Sequence, residues 1–405
     1  MRWSAEKFYR FSGSHSLLIG LLPFFIPVLL WKQGVTLSGI AAFISVSAIG
    51  FILALTYWDR LRFRQQWRRI VLGSFVAEIA LVALLALDVS GLYLVGLALV
   101  NGIYNGFYWS TQRVMFSAVT SQQNSGKTFG NFQILVVILL KLGILLGGYL
   151  IEYQGMLSVL LLSVMISGVA VWMLHNTPSA LSHTLPEHEL NASPVSAREV
   201  WRFRDAHRSK WIFLLDGPFL YLESYFWVLS LYWLMQQSVV ALSLVVVVLT
   251  LMLSVVFVGL KNRIDHMNQA RLYLFAVILY AVSWGLRAQL NTEHSPWIIY
   301  TGILLIAFLT TFFRLAFNKR FFDIAKDTTT HRYLVCKSYY SQASIAGIFL
   351  MIAWGLRSHD PLDAQLTSVY ALATPLALLF AGYGWQYLTQ RKRAEGIAPE
   401  PVSIK

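Results

Sequence analysis

The chain has 405 residues, of which 57% are apolar and only 13% charged, and its formal net charge is +13. Soluble domains carry about 25% charged residues, so this composition excludes a soluble globular protein and a disordered one. The single cysteine, Cys336, excludes an internal disulfide framework. The basic residues lie in short segments between apolar runs and form no basic domain. The charge therefore indicates membrane orientation, and we predict no nucleic-acid partner.

Twelve apolar runs have about the 20 residues that a helix needs to cross roughly 30 Å of hydrocarbon. We predict an all-α polytopic membrane protein in the lipid bilayer, with twelve transmembrane helices in two six-helix pseudo-repeats. The predicted spans are residues 14–31, 36–58, 70–89, 91–117, 129–152, 156–174, 211–235, 238–260, 271–289, 296–317, 333–356 and 365–389.

A polar, proline-containing segment separates the sixth span from the seventh and defines the predicted domains. These are an N-terminal six-helix bundle at 1–175, a cytoplasmic linker at 176–210, a C-terminal six-helix bundle at 211–390 and a cytoplasmic tail at 391–405. The end of the linker has Val200, Trp201 and Phe203 among charged residues, which suits either an amphipathic surface helix or a solvated connector.

Lysine and arginine are concentrated at the N-terminus, after the second span and in the linker. Because positive residues are retained on the cytoplasmic side, these segments share that side. We predict a multi-pass protein of a bacterial inner (plasma) membrane with both termini cytoplasmic.

Two six-span halves suggest an internal repeat, and a shift of about 207 places Arg113 over Arg320. The segment after the second span contains Asp59-Arg60 followed by Arg68-Arg69. With these features the chain resembles the major facilitator superfamily of secondary transporters, over about residues 10–390.

The resemblance implies alternating access, a gating role for Asp59 and Arg60, and a central cavity lined by spans 1, 4, 7 and 10. It also implies that spans 2, 5, 8 and 11 are gating neighbours and that spans 3, 6, 9 and 12 support them. Gly143, Gly147 and Gly148 in span 5 are similar to an exporter motif that lacks its proline here, and we interpret them as small residues that allow close helix packing.

Ionisable residues inside the membrane cost a few kcal/mol each, so each one requires a role. The six candidates are Glu78, Arg113, Lys141, Asp216, Glu223 and Arg314. Lys141 and Glu223 are predicted near the midplane. We predict that Glu223, helped by Asp216, couples protons and that the three basic residues attract the solute. Glu78 lies in a supporting span and is predicted to be a hydrogen-bond partner in helix packing.

Span 4 carries a polar and aromatic stripe with helical spacing. The predicted substrate-binding set joins this stripe to Trp227 of span 7, Tyr340 of span 11 and the three basic residues. Its stripe residues are Asn101, Asn105, Tyr108, Trp109, Gln112 and Arg113. Hydrogen bonding between helices is the alternative role for this stripe.

The sequence has no nucleotide-binding loop and no metal-ligand motif, so we predict no enzyme activity, no cofactor and no metal. The predicted function is secondary active transport of a small organic solute, anionic or zwitterionic, coupled to protons, by a monomer. One alternative is a proton-driven exporter of amphipathic or aromatic compounds, and another is a membrane enzyme or signalling protein on this scaffold. The direction of transport and the substrate stay open.

Overall fold

The computed structural model describes residues 5–87, 91–120, 125–176, 192–205, 207–265, 269–326, 330–356 and 360–384. Within these ranges the regular elements are all helical, which confirms the all-α prediction. The predicted tail at 391–405 and most of the linker, 177–191, lie outside the described residues.

Fifteen α-helices occur in the described part of the chain. They are α1 Ala5–Leu21, α2 Ile26–Lys32, α3 Leu37–Phe63, α4 Trp67–Leu85, α5 Leu92–Thr120, α6 Ser125–Tyr153, α7 Met156–Asn176, α8 Ala197–Trp201, α9 Ser209–Tyr221, α10 Trp227–Leu234, α11 Val239–Asp265, α12 Gln269–Gln289, α13 Pro296–Lys326, α14 Thr330–Gly355 and α15 Leu362–Ala377.

Every predicted span overlaps one of these helices, with α1 and α2 forming the first and α9 and α10 the seventh. Among the described residues, nine helical segments are long and apolar enough to cross a membrane. The other three long helices, α4, α5 and α14, carry more polar residues, such as Glu78, Asn101 and Lys337. The full count of twelve spans therefore stays a prediction.

Prolines accompany irregular turns in three of the spans, because proline has no N–H to continue the helical hydrogen bonding. The first span has a 3₁₀ turn at Pro23–Phe25. In the last span, Pro375 lies inside α15 shortly before a 3₁₀ turn at Leu378–Ala381. Pro218 lies inside α9, which continues as a π-helical turn at Leu222–Phe226 before α10 begins. This turn contains Glu223, and π turns are frequent at functional sites.

The chain divides into two compact units. The first comprises Met1–Phe203, Asp216–Val247 and Thr329–His359, and within it α3 packs on α5 and α14 while α1 packs on α6. The second comprises Arg204–Leu215, Val248–Thr328 and Asp360–Lys405, and within it α12 packs on α13 and α15.

Glycines bring α6 against α1 in the first unit. A Cβ atom at Gly143 would overlap the carbonyl oxygen of Leu17, and one at Gly147 would overlap that of Leu21. Both obstacles are backbone atoms, which cannot rotate away. The span 5 glycines thus have the close-packing role that we inferred for them.

We expect Gly147→Ala to lower the free energy of unfolding by about 3 kcal/mol or more, at the upper end of what overpacking costs. The reason is that α1 and α6 must move apart to make room for the added methyl group. Gly168→Ala in α7 is the matched control, since a Cβ there meets nothing within 4 Å. Thermal unfolding in detergent measures both variants. Equal melting temperatures would mean that α1 and α6 are not in close contact.

Candidate functional site

A buried ion pair joins α9 to α14. Lys337 Nζ lies 2.7 Å from Asp216 Oδ2, and the two side chains are 9% and 2% exposed. The helices approach closely because residue 217 is glycine: a Cβ atom there would lie 2.6 Å from the carbonyl oxygen of Ser341. The contact places a carboxylate and an ammonium group side by side in the protein interior.

A second cation, Arg113 of α5, lies beside this pair. Its Nη1 donates a hydrogen bond to Ser338 Oγ at 2.9 Å. The guanidinium group also interacts electrostatically with Asp216 and Tyr221. We call Arg113, Asp216, Lys337 and Ser338 the charge cluster. It contains two cations and one carboxylate, so it has an excess of one positive charge.

The stripe on α5 is a chain of hydrogen bonds. Asn101 Nδ2 donates to Ser47 Oγ at 3.1 Å and to the Tyr225 hydroxyl at 3.2 Å. Asn105 Nδ2 donates to Asn101 Oδ1, and Trp109 Nε1 donates to Asn105 Oδ1, both at 3.1 Å. At its Asn101 end the stripe therefore connects α5 to α3 and to the π-helical turn. This is hydrogen bonding between helices, the alternative role considered for the stripe.

Two predicted aromatic site residues are engaged elsewhere. Tyr108 is buried against the His15 ring, with 4.8 Å between ring centroids. The Tyr340 hydroxyl donates to the Val200 carbonyl oxygen at 2.7 Å and so holds the linker. Trp227 is buried at the start of α10, and Gln112 is half-buried on α5.

Three further predicted residues lie outside α5, α9 and α14, the helices that form the charge cluster. Lys141 is half-buried on α6 and makes no ion pair with any residue in the described ranges. Glu223 is half-buried in the π-helical turn. Arg314 belongs to the second compact unit, where its Nη2 donates to the Tyr280 hydroxyl at 3.3 Å.

Asp59 is the centre of a buried polar layer at the end of α3. Its Oδ1 lies 2.8 Å from Arg62 Nη2 and 3.2 Å from His331 Nε2, and its Oδ2 accepts from the Val195 N–H at 2.9 Å. Arg62 Nη2 also donates to the Ala192 carbonyl oxygen at 2.7 Å. Asp59 therefore connects α3, the first turn of α14 and the linker, whereas Arg60 is exposed.

The linker continues along α14 as the short helix α8. Ser196 and Glu199 form a capping box at its start. Hydrogen bonds from the Ser196 backbone N–H and hydroxyl hold the pKa of the Glu199 carboxyl below its usual range, and this carboxylate lies 3.8 Å from Arg332 Nη2. Phe203 packs between Tyr333 and Tyr340. We call residues 192–203, held in this way, the linker clasp.

Three residues that complete these contacts, His331, Lys337 and Ser338, were not in the predicted binding set. A signal for Lys337 was present, because it lies four residues into its predicted span and Asp216 lies five residues into span 7. Charges at matching depth can pair. Matching depth alone does not show which helix faces Lys337, so the sequence does not predict the pair.

The sequence matches the Major Facilitator Superfamily model over residues 12–341, which is most of the chain. The chain belongs to the major facilitator superfamily. It is therefore a multi-pass integral membrane protein of a secondary-transporter family, with a small-molecule substrate and the lipid bilayer as its surroundings.

Solved structures of this superfamily share the fold. A crystal structure of nucleoside transporter NupG is 10% identical with a TM-score of 0.65 and covers 95% of this chain and 98% of its own. A point mutant of NupG is 9% identical with a TM-score of 0.67 and covers 95% and 99%. At this identity the likeness concerns the fold alone. No curated protein sequence matches the chain.

The Asp216–Lys337 pair gives a double-mutant test. We expect Asp216→Asn to destabilise the protein by about 3–5 kcal/mol, because it leaves two buried cations without a carboxylate, and Lys337→Met to cost less, because Arg113 still interacts with Asp216. The double variant should be more stable than Asp216→Asn alone, since it removes one of the two cations that the lost carboxylate leaves uncompensated. Thermal unfolding of the four proteins gives the coupling. Additive losses in the double variant would show that the two side chains do not pair.

Proposed function

We propose that this chain is a proton-coupled secondary transporter of a small organic anion or zwitterion and that it works by alternating access. The observation that carries the proposal is the charge cluster. Among its members two cations share one carboxylate, so an anionic group of a solute can complete the charge balance. Arg113 presents a planar set of donors that suits a carboxylate or phosphate.

The predicted acids divide between the two parts of this function. Asp216 is paired with Lys337, and we assign it to holding the cation that faces the solute. Glu223 lies seven residues further along the same span, in the π-helical turn, and it keeps its proposed role in proton coupling. Lys141 and Arg314 are proposed as additional attracting charges.

The alternative, an exporter that recognises aromatic compounds, has less support. It depends on a set of aromatic side chains facing the solute, and two of them are otherwise occupied. Tyr108 packs against His15, and Tyr340 holds the linker. Trp109 donates to Asn105 and retains a half-exposed ring as a possible contact for any solute.

We expect ligand binding to follow the charge of the solute. A panel of one monocarboxylate, one zwitterionic amino acid and one neutral nucleoside is tested for stabilisation of the purified protein, because a ligand that binds the folded state raises its melting temperature. The charged solutes should raise it and the nucleoside should not. Arg113→Gln should abolish the shift, while the control Arg68→Gln, an exposed arginine, should keep it.

Uptake into proteoliposomes completes the test of transport. A stabilising solute should accumulate when a pH gradient is imposed and should only equilibrate without one. Stabilisation by the nucleoside alone would contradict the anionic substrate class, and accumulation that ignores the gradient would contradict proton coupling.

We further propose that the Asp59 layer and the linker clasp form the cytoplasmic gate, with both chain termini on that side. Basic residues favour this orientation for the linker and for the end of α3. The clasp bridges α3 and α14 at adjacent ends, so these helices cannot separate there while it is in place. Arg60, exposed beside Asp59, is proposed to assist by contact with the membrane surface or the linker.

Cys336, the single cysteine, reports on this gate because it is fully buried on α14. Val195→Pro deletes the N–H that donates to Asp59, and Val195→Ala keeps it. We expect an impermeant thiol reagent to label Cys336 several-fold faster in Val195→Pro, and only in inside-out membrane vesicles.

The wild type and Val195→Ala should both react slowly with the reagent in the same vesicles. Equal labelling rates for the proline and alanine variants would show that the linker clasp does not control access to Cys336 and is not part of the gate. Faster labelling in intact cells would reverse the proposed orientation.

A further inference from the structure

A second group of titratable side chains lies inside the first compact unit, on helices that do not contribute to the Asp216–Lys337 pair. Glu78 of α4 and His15 of α1 are both fully buried. Glu78 follows the first residue of α4 by eleven positions, which places it roughly 16 Å along the helix. His15 lies at a comparable distance, roughly 15 Å, along α1.

Among the described residues, those that surround Glu78 provide hydroxyl groups and no cation. Ser167 of α7 donates to Glu78 Oε2 at 3.3 Å, and the Ser163 hydroxyl of the same helix also interacts with the carboxyl group, whose Oε1 completes no hydrogen bond. In the described part of the protein no lysine, arginine or histidine lies within ion-pair distance of this carboxyl group. A buried carboxylate without a counter-charge is far costlier than a neutral carboxyl, so this site favours the protonated form.

Tyr104 of α5 and His15 extend the group. Tyr104 is fully buried and interacts electrostatically with Glu78, and its hydroxyl has no partner. The His15 ring centroid lies 6.0 Å from that of Tyr104. His15 Nε2 shares a hydrogen bond of 3.0 Å with Ser74 Oγ, and its Nδ1 has no partner.

Ser74 and Glu78 are four residues apart and therefore share one face of α4. The groups that face this site are thus His15 from α1, Ser74 from α4, Tyr104 and Tyr108 from α5, and Ser163 and Ser167 from α7. Buried polar atoms are nearly always hydrogen-bonded, and here Glu78, Tyr104 and His15 each keep one atom without a partner. Polar atoms that have no hydrogen-bond partner can accept or donate a proton. The three atoms without partners near Glu78 could therefore transfer a proton to and from its carboxyl group.

We propose that Glu78 is a proton-binding site, with Tyr104 and His15 as its buried relay partners, and that it takes part in proton coupling together with Glu223. This inference rests on the proposed proton-coupled transport and gives it a site apart from Asp216 and Glu223. Binding of one proton converts the Glu78 carboxylate into a neutral carboxyl. Release passes that proton through the relay to water and restores the negative charge.

Infrared spectroscopy of the purified full chain tests the protonation without transport. The wild type should show the C=O stretch of a protonated carboxyl at neutral pH, and Glu78→Gln should lack that band. Glu293→Gln, which alters an exposed glutamate, should retain it. If Glu78→Gln does not fold, Glu78→Asp should keep a protonated carboxyl band at a shifted frequency. A spectrum unchanged by either substitution overturns the site.

Proteoliposome transport then tests the coupling role. Glu78→Gln should retain solute exchange at close to the wild-type rate and lose at least ten-fold in accumulation driven by a pH gradient. Full accumulation by Glu78→Gln overturns the proposal for Glu78 alone. A wild type that shows no response to the gradient overturns proton coupling as a whole, and the infrared band still reports separately whether Glu78 holds a proton.

Discussion

The constraint on which the first compact unit depends is that a charge removed from water needs a partner. The Asp216–Lys337 pair meets it by bringing α9 against α14, and Gly217 gives the helices room to approach. Asp59 meets it in the same way with Arg62 and His331. Both solutions use α14, so the positions of several neighbouring helices follow from where this helix can satisfy its charges.

Helix α14 carries contacts with different partners at successive positions. His331 faces Asp59 of α3, Lys337 faces Asp216 of α9, Ser338 faces Arg113 of α5, and Tyr340 faces the linker. His331 and Lys337 are six residues apart, or roughly 9 Å along the helix. A rigid helix that moves at one contact moves at the others. In the proposed mechanism, solute binding at the charge cluster can move α14, and the same movement changes the contacts of α14 with the linker clasp.

The sequence was sufficient for the fold and for part of the site. Apolar runs located a helix at each predicted span, and Asp216 and Arg113 emerged as charges that had to be explained. Lys337 was not assigned, because spacing along one helix shows which face a residue occupies and not which other helix meets that face. Glu78 was identified as a packing partner. That no cation accompanies it among the described residues depends on how α1, α4, α5 and α7 pack together, which the sequence does not show.

Helix α5 contributes to both proposed sites, and this offers a physical route for coupling. Tyr104 belongs to the Glu78 group and Arg113 to the charge cluster, nine residues or roughly 13 Å further along the same helix. Loss of the Glu78 proton places a negative charge beside Tyr104, where none of the described residues supplies a cation to balance it. The state that best tolerates this charge is one in which water reaches the site. If α5 shifts to admit water there, Arg113 shifts with it, and the affinity of the charge cluster for an anion changes with the protonation of Glu78. Protonation at one site can thus change the binding affinity of the other because both sites use residues of the same rigid helix, although they share no residue.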